Sequence, residues 1–178
     1  MNPHLRGFFR RQLRLRPWAA GTVGAILLFL LIAAAGFWSG RLRFEPALRI
    51  SDQNGRFLAR LPLSDGRFIH HYRHTIHLSP VDEYFRIERG TLRLYELRYD
   101  TTSVGMPSDS ELGFRIEGNR FVLKMDRTFK SIPLRVSVEP EHALIAGGIY
   151  YPLRNWADPM KGLVLTADTL LIIVPKED

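Results

Sequence analysis

The chain of 178 residues contains no cysteine, which excludes disulfides, thiolate metal sites, cysteine nucleophiles and a lipid-anchoring cysteine together. Acidic residues are missing from its start, since none precedes Glu45. After Gly40 no run of twelve or more residues carries a helical period, and no internal repeat of fixed spacing occurs. A nucleophile elbow of the form Gly-x-Ser-x-Gly is absent, as is a phosphate-binding glycine pattern, so the common sequence signatures of hydrolases and nucleotide enzymes are missing. Gly147-Gly148 reads as a tight turn.

What stands out against these absences is one uncharged stretch, Trp18 to Trp38, twenty-one residues with a tryptophan at each end. As a helix it reaches roughly 32 Å, close to the hydrocarbon thickness of a bilayer. Arg6, Arg10, Arg11, Arg14 and Arg16 precede it, and they account for most of the formal charge of +7; the rest of the chain holds 20 basic and 18 acidic residues. A short basic flank stays cytoplasmic, so the helix is expected with its N-terminus inside and the rest of the chain exported. The competing reading is a cleaved signal peptide with Ala33 and Ala35 before the cut. Both export the C-terminal part. The expected organisation is a basic cytoplasmic tail over 1–17, a membrane anchor over 18–38, a linker over 39–46 and an exported domain over 47–178, in the inner membrane and facing the periplasm.

The exported part alternates. Leu48 to Ile50 and Arg56 to Leu61 flank the hairpin dipeptide Asn54-Gly55, and Asp65-Gly66 leads into a strand expected over Arg67 to His77. Tyr84 to Glu88 and Thr91 to Asp100 are separated by Gly90, with Leu92, Leu94 and Glu96 expected on one face. Gly118-Asn119 joins two more strands, Ile132 to Val138 alternates, and Val164 with Leu170 to Val174 closes the set. About nine or ten short strands with turns every 8 to 12 residues predict an all-β domain, an antiparallel sandwich or barrel, preceded by a single transmembrane helix.

The densest polar cluster runs His70, His71, Tyr72, Arg73, His74, Thr75, His77, followed by Asp82 and Glu83. On a strand, His70, Tyr72 and His74 share a face, and a hairpin across Leu78 to Asp82 would return Glu83 toward His77. Imidazoles with one carboxylate suit zinc or nickel, so His70, His74 and Glu83 form a candidate metal set, although the spacing matches no recognised metal motif. The plainer reading is that these side chains are structural, with Glu83 paired to Arg73 or His74. His142 is a triad candidate only if a serine elsewhere meets it. Basic residues between aromatics over Arg93 to Tyr99 fit a half-solvated strand, and nucleic acid is not expected as a partner.

The order Tyr72-x-His74-Thr75, Pro80-Val81-x-Glu83-x-Phe85-x-Ile87, Leu92-x-Leu94 and Thr102-Ser103-Val104-Gly105-Met106-Pro107 resembles the bacterial family numbered 1850 among the domains of unknown function, DUF1850. That family's pattern runs Tyr-x-His-Ser, Pro-Val-x-Glu, an alternating strand and a Gly-Ala-Gly-Leu-Pro loop. Thr75 stands where serine is usual, and Ser103 stands at the first loop glycine. The resemblance implies a shared feature formed by Tyr72, His74, Thr75, Glu83, Gly105 and Pro107. It also implies association with tripartite uptake systems of the TAXI branch of the TRAP class. On this reading the chain is a non-enzymatic accessory without a cofactor, held by membrane lipids and touching the permease and solute receptor. The alternative is a periplasmic ligand- or metal-binding sensor module.

Overall fold

A computed structural model describes residues 17–40, 42–74, 78–100 and 112–174. Helix α1 spans Pro17–Trp38 with no acidic residue in its first turn and no basic one in its last. Within it Gly21–Trp38 is long and apolar enough to cross a membrane, and none of that window is buried in protein. The helix ends where Gly40 takes a φ of 69°, a left-handed turn in which its N–H reaches the carbonyl of Phe37 at 3.0 Å. The β-domain, Phe44–Ile172, is a compact unit separate from the one that holds the helix.

Among the described residues eleven strands build the β-domain: β1 Leu42–Asp52, β2 Phe57–Pro62, β3 Arg67–Arg73, β4 Pro80–Glu88, β5 Thr91–Tyr99, β6 Phe114–Glu117, β7 Arg120–Phe129, β8 Ser131–Arg135, β9 His142–Ala146, β10 Ile149–Pro152 and β11 Gly162–Ile173. They form a four-stranded sheet in the order β2-β1-β11-β8 and a seven-stranded sheet in the order β10-β9-β3-β4-β5-β7-β6. The architecture is therefore the mostly antiparallel β-sandwich that the alternation implies. Turn chemistry sets most hairpins. Asp52 accepts hydrogen bonds from the N–H groups of Asn54 and Arg56, each 2.9 Å, and so closes the β1-β2 turn. Pro133 is confined to β8, a sheet edge, where a missing N–H is tolerated.

Alternation along the strands sends apolar side chains to one face, and these form two clusters. The larger packs Leu48, Ile50, Phe68, Phe85, Leu92, Leu144, Leu163 and Leu165 from both sheets, with the Phe68 and Phe85 rings stacked 5.0 Å apart. Each such side chain stabilises the fold by about 1.5–3 kcal/mol. The smaller joins Val81, Leu97, Tyr99 and Leu123, with Tyr72 packed against it.

Three features differ from the sequence reading. β1 begins at Leu42, before the alternation becomes visible at Leu48. Along β5 the pairing with β7 shifts between Leu94 and Glu96. One extra residue there reverses the phase, so Leu97 and Tyr99 join Leu92 and Leu94 in the core while Glu96 turns outward to Arg98 and Arg115. Lastly, β3 stops at Arg73. His74 donates its N–H to the carbonyl of Ser79 at 2.9 Å and accepts that of Leu78 at 2.8 Å, closing a longer connection than a tight hairpin. In the β3-β4 register Glu83 lies opposite His70, and His77, toward which it was expected to return, lies outside the described residues.

Candidate functional site: a cavity with a buried histidine chain

The register places four polar side chains on the inward face where the surroundings are otherwise apolar. His70 on β3 stands between Glu83 on β4 and Leu144 on β9, while Tyr72 stands opposite His142. Inward-pointing partners of adjacent strands lie about 4.5–5.5 Å apart at Cβ, close enough for ring nitrogens and carboxylates to meet. His70 Nδ1 is 2.8 Å from Glu83 Oε2, and His70 Nε2 is 2.8 Å from His142 Nε2. His142 Nδ1 in turn accepts the backbone N–H of Ser137 at 2.9 Å.

That last contact orients the whole chain. A ring nitrogen that accepts a backbone N–H carries no proton, so neutral His142 holds its proton on Nε2 and donates it to His70 Nε2. His70 then donates from Nδ1 to Glu83. Both rings are 6 % exposed, and burial pushes the His142 pKa down to about 4, with the neighbouring His70 and His71 adding to the effect. Tyr72 lies beside them, its ring 5.0 Å from that of His70. Burial raises its pKa, and the charge of Glu83 raises it further.

These groups form one end of a cavity of about 660 Å³ between the sheets. Phe85, Leu94, Phe129, Ile132, Leu134 and Val136 make its walls, and Arg73, Arg127 and Arg135 also line it. The size and the mixture of apolar walls with few polar groups are those of small-molecule sites.

Of the residues singled out from sequence, His70, Tyr72 and Glu83 meet in this cavity, whereas His74 at the end of β3 is not among its lining residues. Thr75, Gly105 and Pro107 lie outside the described residues. No group of three or more metal-ligating side chains is arranged to hold an ion among the described residues. The tautomer adds a chemical reason: Nε2 of His142 is a donor, and a ligand nitrogen must present a lone pair. The triad reading also lacks its geometry among the described residues. Ser137 lines the cavity, but it meets His142 through its backbone N–H, and its hydroxyl accepts from the N–H of Glu139 at 3.0 Å.

The opposite face of the same strands carries a different network. His71 Nδ1 lies 2.6 Å from Asp82 Oδ1, Asp82 Oδ2 accepts from Arg120 at 2.6 Å, and Arg120 also reaches Asp100 at 2.6 Å. Burial works to raise the Asp82 pKa, but the hydrogen bonds from His71 and Arg120 outweigh it and the net shift is downward.

Sequence reasoning missed the pairing of His142 with His70, which are 72 residues apart. It also passed over Arg127 and Arg135. Arg127 left one signal, a charge at a position of β7 two residues before Phe129 where the alternation calls for an apolar side chain.

No curated protein and no solved structure gives a significant match. The family described as "Domain of unknown function (DUF1850)" matches residues 68–153, a span that runs from β3 through β10 and includes His70, Tyr72, Glu83 and His142. The stretch that builds the buried histidine chain thus lies within the segment that is similar to the DUF1850 family.

Proposed function

We propose that this protein is a membrane-anchored, extracytoplasmic binding module whose β-sandwich takes a small molecule between its two sheets. The observation that carries the reading is the cavity of about 660 Å³ whose polar end is a chain of hydrogen bonds running from the Ser137 N–H through His142 and His70 to Glu83. Such a chain holds its donors and acceptors in place before a ligand arrives, which lowers the ordering cost of binding. The apolar helix and the basic residues before it support the anchor and its orientation. The role taken is binding without catalysis, and the Ser137 hydroxyl of the lining accepts the N–H of Glu139 while its backbone meets His142.

Native mass spectrometry of the full chain, purified from its own membrane in a gentle detergent, tests this reading. A discrete small molecule bound to the wild type and lost in Val138→Trp, which fills the exposed rim of the cavity, is the expected result. An unliganded wild type indistinguishable from that variant would sink it.

The match to DUF1850 favours a second reading of what such binding serves, an accessory subunit of a TAXI-type TRAP uptake system that touches its permease or receptor. Affinity capture of the tagged chain from native membranes tests it, with His74→Ala and Glu83→Ala as folded variants. Co-purification of such a permease or receptor is expected, and its absence with normal membrane insertion counts against the transporter role.

A further inference from the structure

The cavity is uneven in charge along its depth. His70, Phe85, Leu94, Val136 and His142 are buried and form its inner end, while Arg127, Arg135, Val138 and Met160 are exposed and form its rim. Arg127 stands opposite Leu94 in the β5-β7 register, on the same phase of β7 as Phe129, whose ring packs against the core. An arginine on that inward phase runs its aliphatic stem along apolar surface and presents its guanidinium at the opening. Arg135 reaches the same rim from β8, in the other sheet.

Several arginines of the domain are matched to carboxylates; Arg73 at this same cavity bonds to Glu141, Arg98 to Glu96 and Arg120 to Asp82. Among the described residues Arg127 and Arg135 make no such pair, and Glu83 at the inner end is the only acidic residue of the lining. Two cations from facing sheets at the mouth of an apolar cavity match a ligand with an anionic end and a hydrophobic body. At the other end, Glu83 Oε1 and the Tyr72 hydroxyl have no hydrogen-bond partner among the described residues, and a second anionic group there would face the Glu83 carboxylate.

We propose that the cavity takes an amphipathic monoanion, its acyl or aryl body between Phe85, Leu94, Phe129 and Leu134 and its single carboxylate or phosphate on Arg127 and Arg135. This rests on the reading of the β-domain as a binding module. The shared chemistry covers a free organic acid and the head group of an acidic lipid.

Displacement of 11-(dansylamino)undecanoate from the full chain in phosphatidylcholine nanodiscs, with empty discs subtracted, separates the possibilities. Decanoate is expected to displace the probe far better than decanol or decanedioate. Arg127→Gln with Arg135→Gln, both exposed and outside the core, is expected to weaken decanoate by roughly ten- to a hundredfold, the worth of a charge-assisted pair, and to leave decanol unchanged. Discs containing phosphatidylglycerol that lower the apparent decanoate affinity in the wild type alone identify a lipid head group as the source. Without that competition, a free acid is the source. Equal displacement by decanol and decanoate, both abolished by Val138→Trp, overturns the anion preference and leaves the binding module standing. A probe that binds the wild type no better than Val138→Trp overturns both.

Discussion

At His142 a single backbone N–H, that of Ser137, sets the tautomer and therefore the direction of the hydrogen bonds through His70 to Glu83. The consequence for pH is specific. An unfolded histidine titrates near 6.5, while His142 in the fold titrates near 4. Between these values the unfolded chain takes up a proton that the native chain refuses, so stability is complete above about pH 6.5 and falls as the pH drops toward 4, by about 3 kcal/mol at most. Below that, Asp82 adds its own loss, because its folded pKa is depressed and its stabilisation disappears as it protonates. His142→Asn keeps an acceptor for Ser137 but cannot titrate. Denaturant unfolding of the full chain in mild detergent should show a slope between pH 6.5 and 4 in the wild type and a flattened one in this variant; equal slopes would assign the acid loss elsewhere. Glu83→Ala leaves the Nδ1–H of a 6 % exposed ring without its acceptor and is expected to cost about 1–3 kcal/mol, whereas Glu83→Gln recovers most of it. If both variants lose the same amount, the hydrogen bond is not what Glu83 contributes.

Among the elements, the turns were the most legible part of the fold. Asn54-Gly55, Asp65-Gly66, Gly118-Asn119 and Gly147-Gly148 all lie in turns of the structure, because the backbone angles they allow are a property of two or three residues. The β4-β5 connection is less well provided. Arg89 and Gly90 both take positive φ, 49° and 74°, and only the glycine does so without strain. Arg89→Asn supplies the favoured residue at the first position and should raise stability by about 0.5–1 kcal/mol, read as a shift in the denaturation midpoint at unchanged slope. No shift, or a lower midpoint, would mean that the arginine side chain compensates for its own backbone. The bulge in β5 was illegible for the opposite reason. Thr91 to Tyr99 reads as one uninterrupted alternation, and only pairing with β4 and β7 places the extra residue that lets Leu97 and Tyr99 be buried along with Leu92 and Leu94.

For the whole molecule, the proposed anchor makes a prediction that does not depend on the cavity. The full chain, with residues 1–38 still attached, should remain in the membrane fraction after an alkaline carbonate wash, and protease added to spheroplasts should digest the β-domain. Release of a shortened chain into the soluble fraction would identify the apolar stretch as a cleaved signal and remove the tether from the proposed function. Met160 and Val138, both more than half exposed at the cavity rim, belong to this scale as well. Neither strand pattern nor turn chemistry marks them, since the rim exists only where β8 and the chain beyond it face the larger sheet.

The amino-acid sequence by itself determined the apolar helix, the all-β character of the domain and most of its turns. Each depends on period or dihedral preference within a few residues, and each is visible before any two strands are paired. Tertiary structure decided the register that sets Glu83 against His70, the phase of β5, the meeting of His70 with His142 across 72 residues, and the arrival of Arg127 and Arg135 at one rim from two sheets. The physical reason is that these are contacts between residues far apart along the chain. Their partners are chosen by which faces can be buried together, and no local preference encodes that choice.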